Sequence, residues 1–106
     1  MINTNRMCSE IGINKESADE ILGMFFFELE TKITKIQSSI DTKDFSGARD
    51  IIHQLTGSSS YCRMIELEAA LKQLTYTIKF DQKQLPEHLD EVKTLSKQLQ
   101  DEYARL

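Results

Sequence analysis

The strongest constraint on how this chain folds is the spacing of its apolar residues. Leu22, Phe25, Phe26, Leu29, Ile33, Ile36 and Ile40 recur mostly at intervals of three and four, the period that stacks side chains on one face of an α-helix. The pattern returns in Phe45, Ala48, Ile51, Ile52, Leu55, Ser59 and Cys62 and in Leu67, Ala70, Leu71, Leu74 and Ile78. It returns once more in Leu85, Leu89, Val92, Leu99 and Tyr103, with Leu95 and Leu106 near the seam. No segment alternates with period two, so no sheet is expected. The one proline, Pro86, suits the first turn of the last helix, where its missing N–H would have no intrahelical partner. Helices over roughly 17–40, 44–61, 63–80 and 86–105, joined by short connections, predict an all-α, antiparallel up-down four-helix bundle.

Local signals refine this outline. Ser17-Ala-Asp-Glu20 has the form of a capping box at the start of the first long helix, and Asp41-Thr-Lys-Asp44 reads as a polar turn. Residues 1–13 carry Met7, Ile11 and Ile13, enough for a short leading helical segment packed on the bundle. Met24 and Phe27 lie off the first stripe and are expected to pack under that segment; the alternative is an apolar docking patch. The 106 residues suit a single domain, 1–106, long enough for one core without staples.

Charge and cysteine content narrow the function classes. The net charge of −4 argues against nucleic acid as a partner, which requires a basic face. No apolar run is long enough to span a bilayer, so no direct membrane insertion is expected. Cys8 and Cys62 are far apart and match no zinc or redox spacing; a reduced, cytoplasmic setting is the simplest expectation. A metal site built from His53, His88 and the cysteines would need four ligands converging from separate helices, and none is expected.

At about 100° per residue, His53 falls opposite the apolar stripe of its own helix, with Arg49, Asp50, Thr56, Gly57 and Ser60 around it. Its imidazole is therefore placed toward solvent. Gly57 sits one turn on. A glycine inside a helix costs roughly 1 kcal/mol against alanine, so its presence asks for a reason, and one is access to the ring by a large group. A neutral imidazole nitrogen is a nucleophile near neutral pH. On spacing alone, an ordinary surface histidine fits as well.

The run His53-Gln-Leu-Thr-Gly-Ser-Ser-Ser-Tyr-Cys62 followed by Glu66-Leu67, with Phe45 eight residues before the histidine, resembles the histidine-containing phosphotransfer (HPt) domain. It is most similar to the C-terminal HPt domain of hybrid sensor kinases of the BarA/GacS type, from about Ile13 onward. The resemblance implies a monomeric phosphocarrier of a two-component phosphorelay, without an ATP site of its own. His53 would accept a phosphoryl group from a receiver-domain aspartate and pass it to a response regulator. No cofactor is expected on this chain, and Mg²⁺ would sit on the partner receiver domain.

The phosphoryl environment would comprise Arg49, Thr56, Gly57, Ser60 and Thr75; Ile52, Gln54 and Arg63 would contact the partner. Two departures from the family pattern stand out. Thr56 occupies a position where many members have lysine, and Arg63 one where a glycine is common. Those departures also fit an alternative, a non-catalytic helical adaptor that binds a receiver domain without carrying phosphate. A homodimer built through the phenylalanines is a third reading.

Overall fold

The computed structural model describes residues 2–106. The chain forms α1 (Thr4–Ile11), α2 (Lys15–Asp41), α3 (Phe45–Tyr61), α4 (Ile65–Phe80) and α5 (Leu85–Ala104), with one turn of 3₁₀ helix, Gln82–Gln84, ahead of α5. No strand occurs among the described residues. Helices α2 to α5 pack in a ring in chain order, with α2 and α5 closing it, and α1 lies against α2. The molecule measures 42 × 23 × 19 Å. At 1.5 Å per residue the 27-residue α2 is about 40 Å long and so spans the whole bundle.

The four stripes form the core. Leu22, Leu29, Ile36, Ala48, Ile52, Leu55, Leu67, Leu71, Leu74 and Val92 are each almost fully buried. A buried leucine of this kind contributes roughly 1.5–3 kcal/mol through burial. At one end Tyr103 stacks on Phe26, ring centroids 4.3 Å apart, and Phe26 meets Phe25 edge-on at 5.1 Å. Leu106, expected near the seam, is exposed.

Both turns that flank α3 are closed in the same way. After α2 the Asp44 N–H donates to the Ser39 carbonyl and the Lys43 N–H to that of Ile40. After α3 the Met64 N–H donates to Ser59 and the Arg63 N–H to Ser60. This paired closure requires a left-handed residue just past the helix, and Lys43 (φ 60°) and Arg63 (φ 58°) supply it. A non-glycine side chain there costs roughly 1–2 kcal/mol, which accounts for glycine being at home at position 63.

Three sequence expectations are corrected. The N-cap of α2 is Asn14, whose side chain accepts the Ser17 N–H at 2.8 Å. Ser17 and Glu20 are therefore helix-interior residues, not a capping box: Asn14 caps as well as serine does and lets the helix begin three residues earlier than a Ser17 cap would. Helix α4 begins at Ile65, not near residue 63, because the left-handed Arg63 interrupts the helical path. Met24 and Phe27 are not covered by the leading segment. Helix α1 packs on α2 with Met7 buried, yet Met24 and Phe27 remain 69% and 87% exposed.

Candidate functional site

Helix α3 carries the site, and its N-cap fixes where the helix starts: the Asp44 carboxylate accepts the Gly47 N–H at 3.0 Å. Counting from there, Ala48, Ile52, Leu55 and Ser59 turn inward and His53 outward, into solvent. The His53 ring has no hydrogen-bond partner among the described residues. The other histidine is in a different state. Thr77 Oγ lies 2.8 Å from the Gln73 carbonyl oxygen and 2.6 Å from His88 Nδ1, so one nitrogen of the His88 ring is hydrogen-bonded within the chain. His88 is half-buried and tied at one nitrogen; His53 is exposed and untied.

On the side facing α4, His53 opens onto a groove of about 560 Å³. Helix α3 contributes Arg49, Asp50 and Thr56 to its wall, and α4 contributes Lys72, Thr75 and Lys79. Arg49, Thr56 and Thr75 are therefore brought together with His53. Both threonine protons are already committed: Thr56 Oγ donates to the Ile52 carbonyl at 2.7 Å and Thr75 Oγ to the Leu71 carbonyl at 3.2 Å. In these rotamers both hydroxyls hydrogen-bond back to their own helix backbone and not into the centre of the groove.

On the side facing α2 lies a second groove, of about 330 Å³, lined by Gly57 and Tyr61 of α3 and by Ile21, Met24, Phe25 and Glu28 of α2. Its lining is largely apolar. A Cβ added at Gly57 would meet nothing within 4 Å, so no neighbour in the chain requires a glycine there. Ser60 is not part of the His53 groove. It is half-buried and seven residues on, roughly 10 Å along the helix axis.

Of the three residues expected at a partner contact, Gln54 is exposed. Ile52 is not: it is 0% exposed, because a residue on the core stripe cannot also stand at the helix surface, and the half-buried Ile51 is nearer the edge. Arg63 is engaged within the chain. Its Nε donates to Glu10 Oε1 at 2.7 Å and its terminal nitrogen to the Ser60 carbonyl at 2.8 Å, pinning the end of α1 to the end of α3. Arg6 and Arg63 together hold the Glu10 carboxyl below its ordinary range, with the Arg6 hydrogen bond the larger cause.

Lys72 and Lys79 are groove residues that reading helix by helix does not find, since each lies on the outer face of its own helix. Only the position of Thr75, which the family pattern puts beside the histidine, links them to it: the spacing Lys72, Thr75, Lys79 places all three on one face of α4. Among the described residues no group of three or more His, Cys, Asp and Glu side chains is placed to hold a metal ion. Cys62 is buried, and burial pushes its thiol up to about 11. Among the described residues no helix is long and apolar enough to cross a membrane.

The Hpt domain family matches residues 20–106, most of the chain: α3, α4 and α5 entire and α2 from residue 20 onward. The chain belongs to this family, whose members are phosphocarrier modules, not ATP-binding kinases, and serve histidine phosphotransfer in two-component phosphorelays with receiver domains or response regulators as partners. No curated protein and no solved structure matches it.

Proposed function

We propose that His53 is the phosphoacceptor of this Hpt domain. It takes a phosphoryl group from the receiver domain of a hybrid sensor kinase, of the BarA/GacS type, and delivers it to a response regulator in the cytoplasm. The observation that carries the assignment is the pairing of an exposed, unbonded His53 with Gly57 beside it, a helix glycine that nothing inside the chain requires. The empty surface there is room for a partner. His88 lacks both features.

The chemistry asks little of this chain. A lone pair on one His53 nitrogen attacks the phosphorus of an aspartyl phosphate. The N–P bond forms as the acyl P–O bond breaks, the aspartate leaves as carboxylate, and the second ring nitrogen keeps its proton. Delivery to the regulator is the reverse. Stabilising the transferring group calls for positioning and opposite charge; Mg²⁺ and an acidic pocket on the receiver would supply part of that. Gln54 and the Gly57 flank are the parts of α3 free to meet the partner. The complex is expected to be small and transient, between monomers.

Incubation with a phosphorylated receiver domain should give acid-labile, base-stable label on the wild type and none on His53→Gln. Label on His53→Gln equal to wild type would place the phosphoacceptor elsewhere.

A further inference from the structure

The groove beside His53 has a charge that the chain as a whole does not. The sequence carries a net −4, yet the groove is lined by three cations, Arg49, Lys72 and Lys79, and one carboxylate, Asp50. A phosphoryl group on His53 brings about two negative charges into this space. Helix α3 offers it only Arg49 by charge; of the groove's hydroxyls, Thr56 and Thr75 donate to backbone carbonyls, and Ser46 lies seven residues before His53, roughly 10 Å along the helix axis. The remaining cations come across the groove from α4. Lys79 has no ion pair among the described residues, and Lys72 is paired with Glu68 at 3.0 Å on its own helix with its side chain 67% exposed. A single exposed pair of this kind is weak, so Lys72 is free to exchange it for a dianion.

Resting on His53 as the carrier, we propose that Lys72 and Lys79 form a cationic clamp, contributed by α4, that holds the phosphoryl group on His53. They are positioning residues for the phosphorylated state, and their interaction grows with the charge of the group, so they favour the dianion over the monoanion. Lys72 leaves Glu68 when the group arrives and returns when it departs.

The test needs no partner protein. Potassium phosphoramidate phosphorylates histidine directly: the new N–P bond forms as the donor's P–N bond breaks and ammonia leaves. The ³¹P resonance absent from His53→Gln identifies the group on His53, and its chemical shift is then followed against pH. Lys72→Gln and Lys79→Gln should each move the phosphoryl titration midpoint upward by about half a pH unit at low salt, and the double variant further. Lys79→Arg should keep the wild-type midpoint, and Lys97→Gln, exposed on α5, should leave it unchanged. At 1 M salt the differences should shrink. A purely structural role for the lysines would move thermal stability and not this midpoint. An unchanged midpoint in the folded double variant overturns the clamp and leaves His53 as carrier. A phosphohistidine resonance that survives in His53→Gln, with none lost, overturns the reading on which the clamp rests.

Discussion

The first turn of α3 and the turn after His53 each contain a glycine, in opposite surroundings. At Gly47 a Cβ would stand 2.3 Å from the Asp44 carboxylate that caps the helix, whereas at Gly57 it would meet nothing within 4 Å. The first glycine serves the chain's own cap. The second serves nothing inside the chain, although a mid-helix glycine costs roughly 1 kcal/mol against alanine. A residue that weakens the fold without an internal use marks a surface shaped for something outside it, and here that surface adjoins the one exposed histidine with a free ring.

The most severe way to break this contrast is a bulky side chain at the open position. Gly57→Leu should fold as well as wild type, because the space is empty, yet slow phosphoryl exchange with a receiver by roughly 5- to 150-fold, the rate equivalent of about 1–3 kcal/mol of overpacking at a contact. Stopped-flow or quenched-flow transfer, beside a thermal melt, separates the two. A transfer rate equal to wild type would show that the Gly57 flank stays outside the complex.

Alanine sharpens the same contrast through stability alone. Gly57→Ala should stabilise the domain by about 1 kcal/mol, raising Tm by roughly 4–8 °C. Gly47→Ala should gain less or nothing, since the new methyl group pushes the Asp44 carboxylate off the Gly47 N–H and the lost cap offsets the improved helix propensity. Equal gains at both positions would contradict the distinction.

Much of the architecture was legible because burial acts locally along a helix: the stripes from Leu22 to Ile36 and from Leu67 to Ile78 are the walls of the core. Helix starts were less so, since Asn14 and Ser17 are both acceptable caps and only the packed structure selects one. His53 and Gly57 could be placed outward from their angles on one helix. Lys72 and Lys79 could not be joined to them, because their proximity depends on how α4 lies beside α3, a relation that no single-helix projection contains. Ile52 shows the converse error: its angle already put it on the core stripe, and an exposed role at position 52 conflicts with that.

The smallest difference is the one between the two turns that bracket α3, which share a backbone and differ in their side chains. Lys43 and Arg63 are both left-handed, and glycine at either position relieves the strain. Lys43→Gly should therefore stabilise by about 1 kcal/mol. Arg63→Gly should gain less, because it also removes the hydrogen bonds from the guanidinium to Glu10 and to the Ser60 carbonyl. The Glu10 part of that deficit depends on pH. Glu10 in the folded chain titrates below its ordinary value near 4.5, so its ion pairs act fully above that value and are lost as the pH falls through the lowered one. The gap between the two glycine variants, measured by denaturant unfolding, should be widest at neutral pH and narrow in acid. Glu10→Gln should narrow it at neutral pH, and the double-mutant cycle isolates the coupling. In Arg63→Gly the Glu10 carboxyl, followed by NMR, should rise only part of the way toward 4.5, since the larger cause of its depression, Arg6, remains. A gap indifferent to both pH and Glu10→Gln would mean that Arg63 holds the turn through Ser60 alone and that α1 is not latched to the helix bearing His53.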